Sequence, residues 1–203
     1  MSPRRGRYVQ SRSSISLGQG RVTNLRRETG IREQRSAILI ATNGDKTERD
    51  YLNALKKEPW VKPGKVVVVF ESGSPEEVVK GAAKRRDRDD YDQAWAVCDV
   101  DHYATSAASI LADATDVELL WSNPCFEVWL VLHKGNCTSY IEDGRRAADR
   151  LREHISDWDK TALRFDEFRD GVKDAVRRAK SLGEPPDANP STAMWRLVEA
   201  LSS

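Results

Sequence analysis

No apolar run in this 203-residue chain approaches the ~18 residues that a membrane span requires. No apolar stretch follows its first arginines either, so a secretory leader is not expected. Cysteine is scarce: Cys98, Cys125 and Cys137 form an odd set with no C-x-x-C pair. That argues against a disulfide framework and against zinc. Cys98 and Cys125 sit in apolar stretches and read as buried thiols of a cytoplasmic protein. A net charge of only +1 excludes a polyanion mimic and a basic coat protein. Internal repeats and long low-complexity runs are lacking too, which argues against a solenoid.

What is present suits one domain with room for a helical addition. The hydrophobic share of 39% is enough for a core, and the charged share of 32% implies a heavily charged surface. The charge is uneven. Residues 1–36 carry nine arginines against Glu28 and Glu33, leaving the remainder at −6. Residues 1–34 show little apolar periodicity and are expected to form a disordered basic arm, either a solvated tail or a contact to phosphate. Residues 35–203 are expected to form the folded domain.

From Ala37 the pattern alternates strand and helix. Strands are expected at 36–42, 65–71, up to Asp99, and at 117–121. Helices are expected at 47–57, 75–86, 104–114 and from Pro124 to His133. Ser74 reads as an N-cap with Pro75 at the first helical position. Such repetition calls for a parallel sheet with helices on both faces. Residues 144–157, 165–182 and 191–202 read as amphipathic helices that build a core against it.

Two apolar runs end in acids. Ala37–Ala41 leads into Asn43-Gly44-Asp45-Lys46-Thr47-Glu48, and Ala94–Cys98 ends in Asp99-Val100-Asp101. Alternation along a strand would put Asp99 and Asp101 on one side. Ligands of parallel α/β sheets bind at the carboxyl ends of strands, and paired carboxylates there need a cation or a basic partner. Lys46 stands where it can approach a phosphate oxygen, or is a solvated lysine at a helix start.

The most specific string is Ser122-Asn123-Pro124-Cys125-Phe126-Glu127-Val128-Trp129-Leu130-Val131-Leu132-His133. Glu127 falls in a first helical turn, where the macrodipole favours a carboxylate. With Gly44–Glu48 and Tyr51, Gly73-Ser74-Pro75, Asp99-Val100-Asp101 and Asn189-Pro190-Ser191-Thr192, in that order, it resembles the RloB-like proteins, which include the AbiLii type of abortive-infection protein. The resemblance runs from about Ala37 to Leu201. That family is similar to Toprim domains, which implies an α/β fold: a Toprim-like parallel sheet of about four strands flanked by helices, with C-terminal helices packed on it.

The resemblance implies a metal-dependent nuclease of anti-phage defence, with Mg²⁺ or Mn²⁺ as cofactor. Implied partners are DNA or RNA, tRNA included, and an ABC-type ATPase. Glu48, Asp99, Asp101 and Glu127 take the catalytic positions. Glu48, Asp99 and Asp101, with Asn43 and Asp45, take the metal positions, and Lys46, Asn123 and His133 are assigned to substrate. Oxygen-rich hard ligands suit these ions. One departure stands out: the family has glutamate where this chain has Asn43, and an amide cannot shuttle a proton at neutral pH. The alternative is therefore a non-catalytic Toprim-like subunit that binds nucleic acid or the ATPase. The Asp-x-Asp also resembles the haloacid-dehalogenase nucleophile motif. It falls on the third strand rather than the first, with Tyr103 in place of Thr or Val.

Overall fold

The structure, a computed structural model, describes residues 36–101 and 103–203. The basic arm expected at residues 1–34 lies outside the described residues. The sheet contains β1 (Ala37–Thr42), β2 (Lys65–Phe70), β3 (Gln93–Asp99), β4 (Glu118–Asn123) and β5 (Ser191–Thr192), in the order β2-β1-β3-β4-β5. The first four are parallel, and β5 joins β4 antiparallel. β3 lies directly beside β1, with Thr42 opposite Val97. The carboxyl ends of these two strands therefore open at the same edge.

Period-two alternation divides the strand residues between two cores. Ile38, Ile40, Trp95, Val97 and Leu120 face one side. They pack against α1 (Thr47–Leu55), α4 (Glu127–Lys134), α5 (Gly144–Arg152), α6 (Asp166–Arg169), α7 (Val172–Lys180) and α8 (Met194–Ser202). Ala41, Ala94, Ala96, Cys98 and Trp121 face the other side, against α2 (Pro75–Asp89) and α3 (Thr105–Thr115). The small residues on that face let α2 and α3 approach closely. Ser74 and Glu77 form a capping box at the start of α2, with Pro75 as its first residue, as the sequence suggested.

Four expected helices are corrected. The helix expected over 165–182 is two helices broken at Asp170-Gly171. A Cβ at Gly171 would stand 2.6 Å from the His133 carbonyl oxygen, so the break lies where the chain passes directly over the end of α4. The helix expected from residue 191 starts only at Met194, because Ser191 and Thr192 pair with Asn123 and Ser122 and the two hydroxyls of Ser122 and Thr192 meet at 2.8 Å. The helix expected from Pro124 starts at Glu127, which makes Glu127 its first residue. The helix expected over 144–157 ends at Arg152, and the remainder is turn. Among the described residues no helix is long and apolar enough to cross a membrane.

Candidate active site: a carboxylate cavity at the carboxyl edge of the sheet

α1 follows β1 after a short turn and so begins at the edge where β3 ends. Its second residue, Glu48, is 8% exposed. Gly44 makes this possible: a Cβ there would overlap the Glu48 carboxylate, so only glycine lets that side chain fold back over the turn. Thr47 Oγ1 donates to the Lys160 carbonyl at 2.9 Å and fastens the 159–161 turn to the start of the same helix. Asp99 ends β3 on the face shared by Trp95 and Val97, half-buried.

Asp101 reaches the site by another route than strand alternation. β3 stops at Asp99, and Asp101 has left-handed φ of 34°, a conformation that aspartate tolerates better than most residues. Backbone hydrogen bonds hold this turn against the end of β4. Val100 N–H donates to the Ser122 carbonyl at 3.0 Å, and Asp101 N–H donates to the Pro124 carbonyl at 3.1 Å. The cis Asn123–Pro124 segment thus links the two motifs physically.

Glu48, Asp99, Asp101 and Glu127 line one cavity of about 570 Å³. Asp45 and Lys46 line it from the turn before α1, and Asp45 also pairs with Arg49 at 3.2 Å. Cys125 lies in the same wall, its thiol pushed up by burial and by the Glu127 and Asp99 charges. Burial pushes Glu48 up to about 7, with the Glu127 charge adding to it and Lys160 working against it. Burial also holds the Asp99 carboxyl well above the usual range, reinforced by Glu48, Glu127 and Asp101 and opposed by a backbone hydrogen bond from Phe126. The charges of Glu48, Glu127 and Asp101 thus disfavour ionisation of Asp99, and the charge of Glu127 disfavours ionisation of Glu48.

A model of the RloB-like protein family matches residues 38–201. The chain belongs to the RloB-like family. No curated protein and no solved structure matches it. The matched span includes every wall of the cavity, from the Gly44 turn through α5 to the 159–161 turn.

Two residues assigned from the sequence stand elsewhere in this RloB-like protein, and a third, Asn43, directly precedes the Gly44 that lines the cavity. Asn43 is not among the residues lining the cavity. Asn123 donates to the Pro186 carbonyl at 2.6 Å and accepts from Asn189 at 3.1 Å, which ties β4 to the 185–190 segment. His133 is 5% exposed at the far end of α4, its Nε2 3.0 Å from the Tyr51 hydroxyl and its ring edge-on to Trp129 and Phe168. Burial lowers its pKa to about 3, so the imidazole is neutral there. The structure gives Asn123 and His133 packing partners and does not bring them to the acids.

Sequence reading missed the opposite wall. Arg145, Ala148 and Arg152 of α5 line the cavity with Gly144, Lys160 and Thr161. The signal was present: positions 145, 148 and 152 fall on one stripe of a helix, and Asp143 caps it by accepting from Arg146 N–H at 2.8 Å. Nothing local in the sequence says that this stripe faces residues a hundred positions earlier.

The donor chemistry suits a divalent cation, since all the acids offer hard oxygen. Among the described residues, no three His, Cys, Asp or Glu side chains are arranged to hold a metal as they stand. A bound ion would have to draw the carboxylates together.

Proposed function

We propose that this RloB-like protein is a divalent-metal-dependent phosphodiesterase acting on nucleic acid, an effector of anti-phage defence. The observation that carries the reading is the cavity itself. Carboxylates from the end of β3, the start of α1 and the start of α4 line about 570 Å³ together with arginines and lysines. Phosphodiester cleavage asks for that pairing: acids to hold a cation at the reacting oxygens, and bases to hold the flanking negative charge. Mg²⁺ or Mn²⁺, when bound, would supply Lewis-acid stabilisation and an acidified water.

The chain's own residues supply the rest. Glu48 and Asp99 are the acids to which a cation would restore charge. With its pKa raised to about 7, Glu48 is also suited to exchange a proton near neutral pH. Asp101, Asp45 and Glu127 add carboxylates to the same wall, and Lys46 and Lys160 offer positive charge to the phosphate. An ABC-type ATPase partner belongs to the same reading and rests on the RloB-like resemblance, and a cytoplasmic setting rests on the buried free thiols. A non-catalytic binding subunit is the second reading, favoured by Asn43 and by the lack of an assembled metal trio among the described residues.

Asp99→Ala decides between them. The substitution removes a cavity wall group rather than a core side chain. The expected result is loss of Mn²⁺-dependent cleavage of plasmid DNA or RNA transcripts, with the circular dichroism spectrum unchanged. Full activity in a folded Asp99→Ala protein would reject the catalytic assignment. A wild-type protein that binds nucleic acid but never cuts would establish the second reading.

A further inference from the structure

The large apolar side chains exposed among the described residues are Phe70, Tyr103, Ile110 and Tyr140, at 37%, 43%, 69% and 71%. Single exposed aromatics are ordinary. Here the three aromatic ones follow or are tied to the carboxyl ends of β2, β3 and β4. Phe70 ends β2, opposite Thr42 at the end of β1. Tyr103 follows two residues after Asp101, its N–H donating to the Val100 carbonyl at 2.9 Å. Tyr140 precedes Ile141, whose N–H donates to Asn189 Oδ1 at 2.9 Å. Asn189 in turn donates to the Ile141 carbonyl at 2.8 Å and to Asn123 Oδ1 at 3.1 Å. That bridge sets Tyr140 beside the end of β4. The aliphatic Ile110 lies on α3, on the other face of the sheet.

The basic wall is not consumed by the acids. Among the described residues, no ion pair joins Arg145 or Arg152 to Glu48, Asp99 or Glu127. Arg152 pairs with Asp149 at 2.9 Å, both side chains about half exposed. Both arginines line the cavity with guanidinium donors to offer a ligand.

We propose that the rim of the carboxylate cavity binds a single-stranded stretch of nucleic acid, with Arg145 and Arg152 taking backbone phosphates and Tyr103 and Tyr140 stacking on bases. The proposal rests on the phosphodiesterase reading and adds its substrate form. A basic groove flanked by aromatic faces is how proteins hold unpaired strands, because every base has a face to stack. In a duplex those faces are stacked on one another and beyond the reach of rim side chains. The recessed position of Glu48 points the same way, since a strand end or loop can enter a cavity of this size and a double helix cannot.

The test is binding of the full chain to fluorescein-labelled single-stranded DNA and RNA oligonucleotides and to their duplexes, read by anisotropy in chelator so that cutting plays no part. The single strand is expected to bind more tightly than the duplex. Tyr140→Ala and Tyr103→Ala should each weaken single-strand binding by roughly fivefold to a hundredfold, and Ile110→Ala should leave it unchanged. Arg145→Gln with Arg152→Gln should lower the log–log salt slope by about 1.4, at ~0.7 for each phosphate no longer neutralised. Retained melting temperatures show that the variants remain folded. Binding that ignores both tyrosines, a preference for duplex, or no binding of either form overturns the proposal. Expected binding without cleavage under any divalent ion would leave the rim standing and remove the phosphodiesterase reading. Cleavage that is equal in wild type and rim variants would do the reverse.

Discussion

Glu48→Gln gives the most direct measure of what the cavity costs the fold. Glu48 is a buried carboxyl whose pKa rises from 4.5 to about 7 on folding. A raised acid binds more protons folded than unfolded between those two values. Its contribution to stability is therefore fully present below pH 4.5 and is lost as pH climbs through 7. At pH 8 the ionised group disfavours the fold by ~3 kcal/mol, at 1.36 kcal/mol for each pKa unit. Glutamine keeps the shape and carries no charge to desolvate. The variant should thus melt higher than wild type at pH 8, by up to about 6–12 °C on the 2–4 °C per kcal/mol usual for a domain of this size. At pH 4.5 the gap should close. The assay is calorimetric melting across pH 4.5 to 8 in chelator. Asp99 shifts in the same direction, so the variant should retain a weaker slope of the same sign. A gap that does not change with pH, or a variant less stable at pH 8, would refute the reasoning that burial and crowding of negative charge dominate this site.

Two further outcomes follow from the geometry. Gly44→Ala should expel the Glu48 carboxylate from its place over the turn, because the added Cβ overlaps it; Mn²⁺ affinity measured by calorimetry should fall tenfold or more, with little change in melting temperature. Tyr51→Phe should leave buried His133 Nε2 without its partner and destabilise the protein by about 1–3 kcal/mol in urea unfolding, because the Tyr51 hydroxyl is its hydrogen-bond partner in the structure.

The parts of the fold written in local pattern were legible. The alternation of β1 and β3, the Ser74-Pro75 start of α2 and the acids after two apolar runs all act within a few residues of themselves. The parallel sheet expected from the alternating pattern is there, with β1 and β3 side by side. What stayed hidden depends on neighbours distant in sequence. Gly171 breaks a helix only because His133 lies against it. Ser191-Thr192 is too short to show periodicity and is a strand only because Ser122 and Asn123 await it. His133 looked like a polar group bound for a ligand, yet its Nε2 meets the hydroxyl of Tyr51, 82 residues earlier, in the core. Asp101 was expected on the strand and stands in a turn that still delivers it to the same cavity.

The strand order also decides where a second chain could add to this sheet. At one end the short β5 occupies β4, and Pro185 and Pro186 lie beside Val117–Leu119 and Trp121. Proline has no N–H to extend a ladder, so that side is guarded against strand addition. At the other end, no strand among the described residues pairs with the outer edge of β2. Its sequence, Lys65-Val66-Val67-Val68-Val69-Phe70, carries after its lysine the β-branched, uncharged kind of run that templates cross-β stacking. Lys65 and the Glu71–Arg85 ion pair stand at its two ends as gatekeepers. The valines that complete the core are thus also the segment whose exposure during synthesis and refolding most needs to be brief.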